Sequence, residues 1–151
     1  MMSSSVRLAQ YHGIQNPGEA KLRNVGTPAF ERHIYRCLEA TCAELGAEVL
    51  ALGGVEDHVH LVVRLPTTLA VAELVKRLKG ASWHLMTHEV APDDCFKWQG
   101  GYAAFTAGLR HLTPLCDYVC HQKEHHRIGS LIPSYEPPAH TATPAKQDPA
   151  L

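Results

Sequence analysis

Residues 56–65, EDHVHLVVRL, alternate between two sets of side chains in a way that fits a β-strand. Neighbouring side chains of a strand point to opposite faces of the sheet. His58 and His60 would therefore share one face with Val62 and Arg64, and the other face would be wholly aliphatic: Val59, Leu61, Val63 and Leu65. Burying two imidazoles that lack partners is costly. The two histidines thus interrupt a face that would otherwise be apolar, and this suggests a functional role.

Strand-like and helix-like segments follow one another in the order β-α-β-β-α-β-α. The strands are predicted at residues 6–14, 47–54, 57–65 and 101–109, and the helices at 27–46, 67–90 and 113–127. Thr27, Thr68 and Thr113 are predicted N-caps, and Gly46 is predicted to end the first helix. The Gly53–Gly54 pair is expected to be a turn. Trp83 is expected to pack in the core.

This order of elements fits an α+β sandwich in which helices pack on one face of a mostly antiparallel sheet. The length of 151 residues corresponds to one domain. We assign residues 1–132 to that domain. Residues 133–151 are rich in Pro, Ala and Thr and are expected to form a disordered tail.

The composition favours a cytoplasmic protein. No run approaches the roughly 18 consecutive apolar residues of a membrane span, and the segment MMSSSVRLAQ lacks the apolar core of a secretion signal. Five cysteines are scattered without a CxxC pair, which argues for reduced thiols and against a zinc site.

Charge is distributed unevenly although the net charge is only −1. Residues 31–57 hold six acids and two bases, whereas residues 58–88 hold four bases and one acid. Solvated helix faces would produce such a pattern, and so would a basic face that attracts an anionic partner. Five basic residues are candidate phosphate contacts: Lys76, Arg77, Lys79, Lys123 and Arg127.

The histidine pair is a candidate metal site, because side chains at i and i+2 of a strand converge from one face. Tyr118 and Gln122 form a second group, spaced i, i+4 on the predicted last helix. Gln122 offers an oxygen ligand, and Tyr118 offers an oxygen nucleophile whose unperturbed pKa is near ~10. Two imidazoles with oxygen ligands suit Mg²⁺ or Mn²⁺, which could stabilise charge at a phosphodiester.

Four blocks of the chain, taken together, resemble the single-tyrosine transposases of the HUH superfamily. These are the enzymes of IS200-type insertion sequences and the REP-associated tyrosine transposases. The blocks occur in the expected order between about Thr27 and Arg127: GGVEDHVHLVVRLP, LVKRLKGASW, FKWQGGYAAFTAG and YVCHQKEHHR.

The resemblance implies that His58 and His60 hold Mg²⁺ or Mn²⁺, that Gln122 is the third ligand and that Tyr118 is the nucleophile. It implies a ferredoxin-like sheet followed by a helix that bears the tyrosine. Enzymes of this family cut single-stranded DNA beside hairpins and form a 5′-phosphotyrosine link. They are usually dimers in which the tyrosine helix of one chain completes the site of the other.

Three neighbouring residues are expected to support this site. Asp57 precedes the histidines and could orient one of them, and His125 and His126 could relay protons or contact phosphate. Two alternatives to an enzyme of this kind stay open. One is a hairpin-binding protein that has lost turnover, and the other is a different His-x-His metalloenzyme. A cupin needs more strands than this chain offers, and a histidine-triad hydrolase would carry histidine at position 62.

Overall fold

The computed structural model of the chain describes residues 6–13, 28–54, 58–93 and 96–132. Its strands are β1 (Val6–Gly13), β2 (Glu48–Gly54), β3 (His58–Arg64) and β4 (Trp98–Ala107). Its helices are α1 (Pro28–Glu44), α2 (Val71–Leu85), α3 (Leu109–Cys120) and α4 (Gln122–Ile128), and a π-helical turn, Met86–Val90, follows α2. The predicted cap Thr27, the orienting residue Asp57 and the tail at 133–151 lie outside the described residues.

The four strands form one antiparallel sheet in the order β2-β3-β1-β4. The two middle strands, β1 and β3, are each paired on both sides, and α1 and α2 make the long connections between strands. This βαββαβ arrangement is the ferredoxin-like α+β fold that the sequence predicts. The strand β3 therefore lies inside the sheet, and its two faces are both available for packing.

The alternation of β3 sorts its side chains between two separate apolar clusters. Val59, Leu61 and Val63 pack in the larger cluster, with residues of α1 and α2. Val62 packs on the opposite face with Leu115, Tyr118 and Val119 of α3 and with Ala51 of β2. The predicted assignment of faces is confirmed. The face that carries the histidines is the one that α3 covers.

The two later helices begin at positions that differ from the predicted caps. The residue that precedes α2 is Ala70, which makes no side-chain cap bond, so the prediction of Thr68 is wrong. The helix α3 begins after Gly108, and this places Thr113 and Pro114 inside it. A Thr-Pro pair is typical of a helix start because proline cannot donate a backbone hydrogen bond. Here the proline is accommodated within the helix.

The expectation that Trp83 belongs to the core is also wrong, because 45% of its surface is exposed. The buried stripe of α2 runs through Leu78 and Ser82 instead. Ser82 is buried because its hydroxyl donates to the carbonyl of Leu78 (2.6 Å) and accepts from the indole N–H of Trp98 (2.8 Å). No helix among the described residues has the length and apolar run of a membrane span.

Candidate active site

His58 and His60, the strand pair, are both buried although they are polar. His60 is fully buried and His58 retains 7% exposure. Their ring centroids lie 4.9 Å apart at an interplanar angle of 78°. The two imidazoles therefore share the α3 side of the sheet, as the alternation of β3 requires. This placement brings two nitrogen-bearing rings into one small volume.

Tyr118 reaches the same side of the sheet because α3 packs very closely against β2. A Cβ on Gly53 would overlap the carbonyl oxygen of Val119, so only glycine permits this approach. The predicted turn at Gly53 and Gly54 is thus wrong, since both residues lie within β2. Gly53 therefore allows a short distance between the sheet and α3, the helix that carries the tyrosine.

A break in the last helical segment separates Tyr118 from Gln122. The sequence predicts one continuous helix, but α3 ends at Cys120, His121 leaves helical geometry (φ −105°, ψ 24°), and α4 begins at Gln122. Both side chains are nevertheless buried: Tyr118 is 3% exposed and Gln122 is 1% exposed. The i, i+4 spacing therefore places both residues inward, although they belong to two helices.

The middle of α4 connects the tyrosine to the strand pair. The ring of His125 stacks on Tyr118, with centroids 4.4 Å apart and an interplanar angle of 25°. The ring of His126 lies 4.9 Å from that of His58. The structure thus brings His125 to the tyrosine and His126 to the strand pair, while the predicted roles of these two histidines, relaying protons or contacting phosphate, stay predictions. Neighbouring residues of one helix thus bridge the two halves of the candidate site.

The segment after α4 returns to the tyrosine. Gly129 adopts a left-handed conformation (φ 71°) that ends α4 and turns the chain. The side chains of Ser130 and His125 then hydrogen-bond (Oγ to Nδ1, 2.9 Å), and the backbone N–H of Ile132 donates to the phenol oxygen of Tyr118 at 3.3 Å. The phenol is therefore enclosed by α4 and by the residues that follow it.

The donor atoms in this region fit a divalent ion. No group of three or more His, Cys, Asp or Glu side chains converges within the described part of the chain. A metal held here would therefore rest on the two imidazoles of the strand pair and the amide oxygen of Gln122, with water completing the shell. Mixed nitrogen and oxygen ligands of this kind are compatible with Mn²⁺ or Mg²⁺.

Of the five predicted phosphate contacts, two lie exposed and away from this region. Lys76 and Arg77 project from α2, which covers the face of the sheet opposite to the strand pair. Lys79 is half-buried, with its ammonium 6.0 Å from the centre of the Tyr102 ring, and burial lowers its pKa. The structure does not bring these three bases to the tyrosine.

The two bases of α4 lie near the site but carry ion pairs. The ammonium of Lys123 pairs with the carboxylate of Glu31 in α1. The guanidinium of Arg127 donates to both carboxylate oxygens of Glu124, at 2.9 and 2.5 Å, and this contact lowers the pKa of that carboxyl. A DNA phosphate would have to replace or share these partners.

Sequence reasoning missed Gly53, Ser130 and Ile132. For Gly53 a signal exists, since a glycine inside a strand pattern marks a close backbone approach. The contacts of Ser130 and Ile132 depend on the turn at Gly129 and on the tertiary position of Tyr118. No local sequence pattern predicts these two features.

Comparison with known proteins places this geometry in context. Residues 5–122 match the family model described as "Transposase IS200 like". Two curated relatives, the transposases for insertion sequence element IS200 of Salmonella typhimurium and Salmonella typhi, are each 29% identical over 107 residues. These alignments cover 67% of this chain and 69% of each relative.

Two solved structures share the fold. A candidate transposase from Deinococcus radiodurans R1 has a TM-score of 0.58 and 21% identity, with 81% of this chain and 93% of that chain covered. A REP-associated tyrosine transposase bound to a REP hairpin has a TM-score of 0.61 and 11% identity, with 83% and 70% covered. At these identities the likeness concerns the fold.

Proposed function

This chain belongs to the IS200-like transposase family, and we propose that it cuts and rejoins single-stranded DNA beside hairpins with Tyr118 as the nucleophile. The observation that carries the proposal is the gathering of β3, α3 and α4 around one buried group of side chains. His126 touches the ring of His58, and His125 stacks on Tyr118. A solved protein of similar fold is a tyrosine transposase bound to a hairpin, which supports DNA as the partner.

The proposed reaction exchanges one phosphodiester bond for another. The phenol oxygen of Tyr118 forms a bond to phosphorus, and the 3′ oxygen of the neighbouring nucleotide leaves and takes up a proton. The product is a 5′-phosphotyrosine and a free 3′-OH. Because the new ester keeps the energy of the old one, a 3′-OH can later attack it and restore a DNA strand. A transposase needs such an energy-conserving covalent intermediate, because the strand that it cuts must later be rejoined.

The strand pair and Gln122 are the proposed metal ligands. A bound Mg²⁺ or Mn²⁺ would polarise the phosphate and offset its developing negative charge. The chain itself contributes the position of the attacking oxygen. Stacking of His125 fixes the plane of the Tyr118 ring, and the N–H of Ile132 contacts the phenol oxygen.

A covalent-capture experiment tests the nucleophile. The protein, supplied with Mn²⁺, is incubated with a hairpin-bearing single-stranded oligonucleotide, and adducts are separated by denaturing electrophoresis. The wild type is expected to give an adduct and Tyr118→Phe none. The Phe variant should remain folded, since it keeps the ring and loses only contacts of the hydroxyl, each worth about 1 kcal/mol. An adduct that persists in the folded Phe variant would assign the nucleophile to another residue.

The same assay tests the proposed homodimer in which the tyrosine helix acts in trans. Tyr118→Phe and His60→Ala are each expected to be inactive, and their mixture should regain adduct formation if dimers share sites. Within one chain, however, α3 already lies on the side of the sheet that carries its own histidines. If the mixture stays inactive under conditions of subunit exchange, catalysis occurs in cis.

The enclosure of Tyr118 favours one alternative function, a hairpin-binding protein without turnover. The phenol is 3% exposed, and a phosphate must reach it before any reaction. This alternative predicts tight, salt-dependent hairpin binding and no adduct at any metal concentration. Detection of the adduct in the wild type excludes it.

A further inference from the structure

A second pair of histidines lies where α2 passes into the π-helical turn, on the helix layer remote from the candidate active site. His84 and His88, the helix pair, are both exposed. Their rings are stacked, with centroids 4.4 Å apart and an interplanar angle of 13°. The exposed ring of Trp83 meets His88 edge-on at 5.6 Å. Neither the candidate active site nor the proposed DNA chemistry uses these side chains.

The hydrogen bonds around His88 determine which of its ring nitrogens carries a proton. Its Nδ1 lies 2.9 Å from the hydroxyl oxygen of Thr87 and 3.1 Å from the carbonyl oxygen of His84. The Thr87 hydroxyl already donates its hydrogen to the carbonyl of Trp83 at 2.7 Å, so its oxygen can only accept from His88. Both neighbours of Nδ1 are thus acceptors, and Nδ1 must be the donor.

It follows that the neutral imidazole of His88 presents its lone pair at Nε2. A metal-ligating histidine commonly has this arrangement, with one nitrogen donating to a carbonyl and the other left to bind the ion. His84 precedes His88 by four residues, so both rings extend from one side of the helix. The π-helical turn begins at Met86, between them, and such turns often mark functional sites.

We propose that the helix pair is a surface site for a divalent transition-metal ion, bound by Nε2 of His88 and an imidazole nitrogen of His84. Water molecules complete the coordination. Two imidazoles without carboxylates favour late transition metals over Mg²⁺, and Cu²⁺ is the divalent ion bound most tightly by such ligands. In the stacked arrangement the nitrogen lone pairs of the two rings lie in nearly parallel planes, so His84 must rotate about its side-chain torsions to point a nitrogen at the ion held by His88. Because both rings are exposed, this rotation requires neither burial of charge nor rearrangement of the core.

Titration with Cu²⁺ tests this site, because the nearby indole of Trp83 reports a paramagnetic ion by loss of its fluorescence. The full chain is expected to show saturable quenching. His84→Ala and His88→Ala should each weaken the apparent affinity by at least about tenfold, the loss typical of a damaged metal site. His111→Ala, which removes an exposed histidine of α3, is the matched control and should leave the titration unchanged.

Two further variants separate this site from the candidate active site. His60→Ala should keep the quenching. Trp83→Phe should lose the optical signal yet keep bound Cu²⁺ whose electron paramagnetic resonance spectrum shows coupling to imidazole nitrogen. Equal affinity in the wild type, His84→Ala and His88→Ala would overturn the proposal, and so would quenching that disappears in a folded His60→Ala variant.

Discussion

The strand pair and the helix pair place the same side chains in opposite surroundings. His58 and His60 are two residues apart on β3, buried, and at an interplanar angle of 78°. His84, in the last turn of α2, and His88, in the π-helical turn that follows it, are four residues apart, exposed, and nearly parallel. The comparison teaches that histidine spacing alone does not define a site. The buried pair depends on the docking of α3 and α4, whereas the exposed pair depends only on its own helix.

The largest expected effect comes from removing one member of each pair in turn. Mn²⁺ is expected to raise the melting temperature if it binds the native state, and His60→Ala should abolish both this rise and adduct formation. His88→Ala should leave both unchanged, and its unfolding free energy should stay within about 0.5 kcal/mol of the wild type, as for most surface substitutions.

Differential scanning fluorimetry with and without Mn²⁺, run beside the adduct assay, measures this contrast. If His88→Ala removed the Mn²⁺ effect, the two pairs would not be independent. If His60→Ala retained both the effect and the adduct, the strand pair would not be the site of the metal.

A smaller effect is expected from Gly53→Ala, which removes no side chain of the candidate site and changes only how α3 packs on the sheet. The added methyl group meets the carbonyl of Val119 and must push α3 away from β2. We expect a destabilisation of about 1–3 kcal/mol and a marked loss of adduct, with Cu²⁺ quenching at the helix pair preserved. Urea denaturation and the two functional assays measure these outcomes.

Gly80→Ala is the matched control for this substitution. Gly80 lies in α2, and a Cβ there would meet no atom within 4 Å. Alanine in a helix is more favourable than glycine by roughly 0.5–1 kcal/mol, so this variant should be slightly more stable and fully active. If both alanine variants behaved alike, the close approach of α3 would not control the site.

The smallest effect concerns the ion pair that ties α4 to α1. The pair of Lys123 and Glu31 is partly exposed, and such pairs contribute about 0.2–1 kcal/mol. If the pair serves only to hold α4, Lys123→Ala and Glu31→Gln should reduce adduct formation by similar small factors. If Lys123 also contacts DNA, only Lys123→Ala should weaken hairpin binding. Fluorescence anisotropy with a labelled hairpin distinguishes the two results.

The parts of the molecule that the sequence predicts are those governed by local periodicity. The faces of β3 follow from alternation, and the order of elements follows from alternating patterns, so the α+β sandwich and the position of the strand pair were accessible. The ferredoxin-like sheet was implied by the resemblance to the transposase family. The roles of His58, His60, Tyr118 and Gln122 remain predictions. Their burial on one side of the sheet is the part that the structure adds.

Features that depend on how elements dock were not accessible. Thr68 and Thr113 carry the pattern of a helix start, but tertiary packing places the starts of α2 and α3 elsewhere. Gly53 was predicted to be a turn residue because glycine is common in turns, whereas in the structure it lies in β2 where α3 packs on the strand. Trp83 was assigned to the core from its position on the predicted helix, but the residues of α2 that pack on the sheet are those of the stripe through Leu78 and Ser82.

The break at His121 has a mechanical consequence for the candidate site. The phenol of Tyr118 belongs to α3, which packs closely on β2 at Gly53. The amide of Gln122 belongs to the shorter helix α4, which is joined to α1 by the ion pair of Lys123 with Glu31. A tilt of α4 about His121 would move the amide oxygen of Gln122 relative to the histidines, and it would also move His125 across the ring of Tyr118. In the proposed reaction, metal coordination and tyrosine attack would therefore change together.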